Sequence, residues 1–189
     1  MTDAVHLYVG RLATPVGELA IVADELGRLR ALHWGDQEAQ LLRALRLQCA
    51  AFALEPADDP AGLTTVMSRY FAGDLAAIQG VPVEAGGTPF QRAVWSALRD
   101  IPCGTTESYG ALAARIGRPA AVRAVGLANG ANPVAIVVPC HRVIGASGAL
   151  TGYGGGMERK RWLLEHEHAR GVRRKPSTIS AHPSLFETA

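Results

Sequence analysis

Residues 108–133 read "SYGALAARIGRPAAVRAVGLANGANP", and this stretch limits the fold more tightly than its neighbours do. Ser108 is a natural N-cap, and Leu112, Ala113 and Ile116 recur at helical spacing until Gly117 stops the helix. Pro119 suits the opening of a second helix, whose buried stripe is Val122, Val125 and Gly126. Two short helices joined by a Gly-Arg-Pro turn have helix-turn-helix geometry. The second is nearly all small side chains: Ala120, Ala121, Ala124, Gly126 and Ala128. Arg123 is its only cation, one step off the buried stripe and therefore outside. Such a helix either packs closely on another helix with Arg123 in solvent, or enters a narrow groove with Arg123 as its probe.

Charge divides the chain. Residues 1–87 hold 6 Lys/Arg against 11 Asp/Glu, a net −5, whereas residues 88–175 hold 13 against 5, a net +8. Either the second half alone meets a polyanion, or the surface is solvated and unevenly charged. The switch falls at "QGVPVEAGG", residues 79–87, whose glycines and prolines mark a boundary. The expected units are 1–80, 88–170 and a basic, weakly ordered tail, 171–189.

Before the boundary, "LYVGRLATPVGELAIVADELGRLRALHW" alternates apolar runs with turn signals and predicts a small antiparallel sheet. Helices are expected over 36–48 and 62–72, the latter with Leu63, Val66, Met67 and Tyr70 on one face. After it, Thr88, Pro89 and Gln91 form a capping box before the stripe Phe90, Val94, Ala97, Leu98 and Ile101. The fold class is therefore α/β of the α+β kind: a sheet with helices, then a mostly helical unit with the helix-turn-helix.

A hydrophobic fraction of 48% and a charged fraction of 19% describe a globular chain. No apolar run approaches the roughly 18 residues of a membrane span. The opening "MTDAVHLYVGR" has no basic region ahead of an apolar run, so no secretory signal is expected. Three cysteines at unpatterned spacings argue against a disulfide framework and for a reducing, cytoplasmic setting.

The chemistry sits in "IVVPCHRV", residues 136–143. A β-branched run predicts a buried strand that ends at Pro139 and delivers Cys140 with His141 beside it. A thiol reacts as thiolate, and a histidine can take its proton. Neighbours in an extended chain point to opposite sides, so a bridging water is the expected relay between the two. Downstream, "GASGALTGYGGG" is a flexible loop and "MERKRWLLEHEH" a helix burying Leu163 and Leu164. Glu167 lies three and four positions beyond these, hence on the inward face, where a carboxylate needs a partner. Glu158 and Glu165 point elsewhere. Cys49 and Cys103 read as ordinary buried cysteines. A metal site is not expected, because adjacent Cys140 and His141 rarely share one ion and no Cys-x-x-Cys occurs.

"PCHRV", with "NP" upstream and "YG" downstream, resembles the active-site signature of the O6-alkylguanine-DNA alkyltransferases, the methylated-DNA–protein-cysteine methyltransferases. The likeness extends through "GGTPFQRAVW", "IPCG", "RAVG.ANG.NP", "TGYGGG" and "HE", covers residues 88–168 in order, and is nearest the bacterial stand-alone type. It implies direct-reversal repair of double-stranded alkylated DNA. Cys140 would accept a methyl or larger alkyl group from O6 of guanine, or O4 of thymine, once and irreversibly, without a cofactor. It implies a ribonuclease H-like first domain and a protein monomeric when free, and leaves cooperative assembly on DNA open.

Residue by residue, His141 and Glu167 would form the proton relay and Asn132 would brace the turn before the cysteine. Tyr109 would act at the target's 3′ phosphate, and Tyr153 would donate a hydrogen bond to the base oxygen. The carbonyls of Cys140 and Val143 would read the exocyclic amine. Arg123 would fill the space of an extruded nucleotide, with Ala121, Ala124 and Gly126 thinning its helix for the minor groove. Gly154 stands where some relatives carry serine, and only a backbone contact would survive that change. The zinc site of some relatives has no counterpart here. The rival reading is a non-catalytic alkyltransferase-like lesion binder, which would lack the cysteine.

Overall fold

The computed structural model of the protein describes residues 4–169; the expected tail at 171–189 and residue 170 of the second unit lie outside them. Strands β1 (Val5–Thr14), β2 (Gly17–Asp24) and β3 (Leu29–Trp34) form an antiparallel meander, followed by helix α1 (Glu38–Gln48). Strand β4 (Phe52–Pro56) then pairs parallel to β1, giving the order β3-β2-β1-β4. The sheet is thus mixed rather than purely antiparallel. β4 is a five-residue edge strand ending in proline, with little alternation to announce it.

β2 is buried on both faces, and its residues sort by parity. Ala20 and Val22 pack with Leu41 and Leu45 of α1, while Leu19, Ile21 and Ala23 face the main core. That core takes Leu63, Met67 and Tyr70 from α2 (Leu63–Phe71). It continues through Val94, Trp95 and Leu98 of α3 (Pro89–Arg99) to Leu163 of α6 (Met157–His166). The apolar interior therefore runs across the 79–87 segment. Backbone bonds cross it too. Leu32 in β3 donates to the Pro133 carbonyl (2.9 Å) and accepts from Ala135 (3.1 Å), which covers the sheet edge.

The capping box at α3 forms: Gln91 N donates to Thr88 Oγ1 (3.2 Å) and Thr88 N to Gln91 Oε1 (2.9 Å). Ser108 caps α4 (Tyr109–Arg115) through Ala111 N (3.1 Å), beside a two-residue parallel pairing of β5 (Glu107–Ser108) with β6 (Val143–Ile144). α4 ends at Gly117 (φ 71°), with Arg118 N reaching back to Ala113 O at 2.8 Å. α5 (Val122–Gly130) starts three residues later than Pro119 suggests, because Arg118–Ala121 close a turn first. One orphan carbonyl near its C-terminal end, that of Ala128, accepts from the Trp95 indole at 2.8 Å and so fixes α5 on α3.

The strand expected over 136–138 is absent. Ile136 takes φ 69°, rare for a β-branched residue, and Val138 N bonds back to Val134 O (3.0 Å). Residues Cys140–Arg142 then form one tight helical turn. Ile136, Val137 and Val138 are all buried, so the apolar run records burial on every side, which a packed turn satisfies as well as a strand. Trp95→Phe should leave the Ala128 carbonyl unpaired and lower the unfolding free energy by about 1–3 kcal/mol in urea titrations.

Candidate active site

Cys140 lies at the start of the tight turn, 6% exposed. Its Sγ accepts a hydrogen bond from Asn132 Nδ2 at 3.1 Å. The same amide nitrogen donates to Val138 O (2.8 Å), and Asn132 Oδ1 accepts from Val134 N (3.0 Å). Asn132 therefore holds the loop after α5 shut while aiming a donor at sulfur. Asn129 Nδ2 adds a contact to the Cys140 carbonyl at 3.4 Å.

His141 is fully buried, with Nε2 3.0 Å from Glu167 Oε1. An ionised carboxylate only accepts, so Nε2 carries the proton and Nδ1 is left basic. Nδ1 is buried and has no protein hydrogen-bond partner. Glu167 is itself a hub. Arg142 donates to both its oxygens, Nε to Oε2 and Nη2 to Oε1, each at 2.8 Å, and the Tyr70 hydroxyl donates to Oε1 at 2.7 Å. Arg142 further donates to Ile101 O (2.5 Å) and Cys103 Sγ (2.8 Å). Burial would raise the Glu167 carboxyl, but His141 and Arg142 outweigh it and hold it well below the usual carboxylate range.

Burial dominates the two reacting groups. It pushes the Cys140 thiol up, against the Asn132 bond and the Lys160 charge. It pulls His141 down, against the Glu167 charge. At rest, then, the site holds a neutral thiol and a neutral imidazole. Lys160 is fully buried and donates to Val143 O (2.6 Å) and Thr151 O (2.8 Å). Burial draws its pKa down to about 8.

The structure joins Cys140, Asn132, His141 and Glu167 into this cluster. The Tyr153 hydroxyl is buried without a protein hydrogen bond, and burial and the Cys140 charge both raise its pKa. Val143 is buried, and its carbonyl, already bonded to Lys160, keeps a second lone pair. The Gly154 carbonyl accepts from Gln37 Nε2 at 2.5 Å. Arg123 and Ala124 are exposed on α5, Ala121 and Gly126 half-buried, and Arg123 makes no ion pair among the described residues. The Tyr109 ring passes 3.9 Å from where a Cβ on Gly126 would stand. Among the described residues no group of three or more His, Cys, Asp or Glu could hold a metal, and no helix is long and apolar enough to cross a membrane.

Sequence reasoning missed Arg142, Tyr70, Asn129 and Lys160. Lys160 had a signal: it precedes Leu163 and Leu164 by three and four residues, on their face. Tyr70 was visible as a core ring, but its hydroxyl's partner 97 residues away was not.

The structure thus sets a buried cluster of Cys140, Asn132, His141 and Glu167 behind the paired helices α4 and α5, and the comparisons with known proteins supply the class. Residues 89–169 match the family 6-O-methylguanine DNA methyltransferase, DNA binding domain. Over 165 residues the chain is 54% identical to the methylated-DNA–protein-cysteine methyltransferase of Salmonella typhimurium, covering 86% of this chain and 96% of that one. The crystal structure of Mycobacterium tuberculosis OGT in complex with DNA superposes with TM-score 0.73 at 43% identity, covering 88% and 97% of the two chains. The Mycobacterium tuberculosis O6-methylguanine methyltransferase gives 0.71 at 42%, over 86% and 93%. The chain belongs to the methylated-DNA–protein-cysteine methyltransferase family.

Two consequences are measurable. Glu167→Gln leaves Arg142 buried without its counter-charge and should cost about 3–5 kcal/mol of unfolding free energy. His141, like His33, is held neutral by burial, below the ordinary histidine value of 6.5. Below that pH the unfolded chain binds protons the folded one refuses, so stability should fall as pH drops through 6.5. His141→Gln should flatten that slope in denaturation curves taken between about pH 5 and 7.

Proposed function

We propose that the protein repairs alkylated DNA by direct reversal, with Cys140 Sγ as the acceptor of the alkyl group from O6 of guanine. The sulfur–carbon bond forms as the carbon–O6 bond breaks, and the electron pair left on the base is neutralised by a proton. The thiol proton passes to His141 Nδ1, through a water, and Glu167 steadies the imidazolium that results. Tyr153 donates to the base oxygen as charge develops there. A thioether is a poor leaving group, so each molecule acts once. The observation that carries this reading is the buried thiol braced by Asn132 next to the His141–Glu167 pair.

The partner is DNA. We infer that it is met as a duplex, by a protein monomeric when free, as the family resemblance implies. The target atom is hidden in the base stack, so the nucleotide must be rotated out to reach Cys140. Arg123, exposed on a thin helix, is placed to fill the space it leaves, while Ala121, Ala124 and Gly126 let the backbone approach the groove. The Tyr109 ring, against Gly126, meets the flanking phosphate; Val143 and Cys140 offer carbonyls to the base amine, and Gly154 a backbone contact. Residues 88–170 carry these functions and 1–80 support them. Cys49, Cys103 and Cys140 are all free thiols, in keeping with a reducing cytoplasm.

Incubation with an O6-methylguanine duplex should add one methyl to the intact mass, mapped to Cys140 and absent in Cys140→Ser. Repaired guanine well in excess of protein would refute single turnover. Arg123→Ala should slow repair of the duplex by about 100-fold or more yet react normally with free O6-alkylguanine base, which needs no rotation. Equal losses on both substrates would remove Arg123 from that role.

A further inference from the structure

The loop that presents Tyr153 contains Gly152, Gly154, Gly155 and Gly156, and such a sequence has little stiffness of its own. Something outside the loop must place the hydroxyl. Arg159, in the first turn of α6, reaches out of the second half of the chain with every arm of its guanidinium engaged. Nε donates to Val16 O (2.9 Å), Nη1 to Asp36 Oδ1 (3.0 Å) and Gly155 O (3.2 Å), and Nη2 to Asp36 Oδ2 (2.9 Å). The guanidinium carbon also lies 4.6 Å from the centre of the Trp34 ring.

Trp34 ends β3 and is 1% exposed. A Cβ placed on Gly155 would fall 2.3 Å from Trp34 Nε1 and 2.6 Å from Tyr153 Cε1. Indole, glycine backbone and phenol ring are thus stacked with no slack between them. Gln37, one residue past Asp36, ties the adjoining Gly154 carbonyl. Contacts run without a break from Asp36 through Arg159 and Trp34 to Gly155 and Tyr153.

We propose that Arg159 is a positioning residue for alkyl transfer, through which the first half of the chain sets the place of the Tyr153 hydroxyl. This rests on the reading of Cys140 and Tyr153 given above. A half-exposed ion pair such as Arg159–Asp36 contributes little to folding stability. Its consequence lies in geometry, since a displaced donor loses transition-state stabilisation steeply. The planar fork matters as well as the charge, so lysine cannot replace it fully.

The test is the methyl-transfer rate at saturating O6-methylguanine duplex, measured on folded protein beside duplex affinity. Arg159→Ala should slow transfer about tenfold with affinity within about twofold, and Arg159→Lys should recover only part of the loss. Asp36 is mostly exposed, so Asp36→Ala folds even if Arg159→Ala does not; it should slow transfer about threefold. Acting through Tyr153, both losses should vanish in a Tyr153→Phe background, where each double variant matches Tyr153→Phe alone. Multiplicative losses, or wild-type rates for Arg159→Ala and Asp36→Ala, would overturn the inference. A wild-type protein that transfers no methyl would instead overturn the repair function itself.

Discussion

The buried Glu167 carboxylate is the interaction on which the site depends. One side chain collects Tyr70 from α2, Arg142 and His141 from the Cys140–Arg142 turn, and, through Arg142, the Ile101 carbonyl beyond α3. Replacing such a cluster by apolar groups can stabilise a protein, so burial of the pair is no argument for stability in itself. Its value is in specification. With Arg142 bound at both carboxylate oxygens, the turn that carries Cys140 has one docked position, and a neutral side chain at 167 could not impose it.

The same cluster explains why the resting thiol is quiet. Burial keeps the His141 imidazole neutral against the pull of Glu167, and the Arg142 charge acts in the same direction as burial. Burial likewise keeps Cys140 a thiol, against the Asn132 bond and the Lys160 charge. On the proposed reading of Cys140, ionisation coincides with arrival of the base, when the leaving oxygen can take a hydrogen bond. For a protein that spends its cysteine irreversibly, a nucleophile uncovered only by its substrate avoids loss to stray electrophiles.

What could be read beforehand was whatever had a local cause. The Thr88 capping box, the Ser108 cap, the Gly117 stop and the inward face of Glu167 each follow from a few adjacent residues, and each is present. What could not be read depends on distant partners. Residues 136–138 have strand composition, yet Asn132 and the edge of β3 capture the backbone and force a turn. β4 exists because β1 has a free edge, which no feature of "FALEP" declares. Arg142 carries no local sign of burial, and its buried counter-charge is Glu167, 25 residues on.

Charge segregation and the shared core then bear on each other. The first half is acidic and the second basic, but the apolar interior and the Leu32 bridge make them one body. Their seam is where opposite charges meet, at Arg159 and Asp36, beside the loop that carries Tyr153. Arg118 and Arg123, both exposed and without an ion pair among the described residues, lie elsewhere, in the turn before α5 and on α5 itself. Attraction across the seam thus leaves the exposed cations of α5 unneutralised, whereas an even mixture of charges would weaken their field. The boundary at 79–87 separates the surface charges, while the core and the hydrogen bonds of Glu167 and Arg159 cross it.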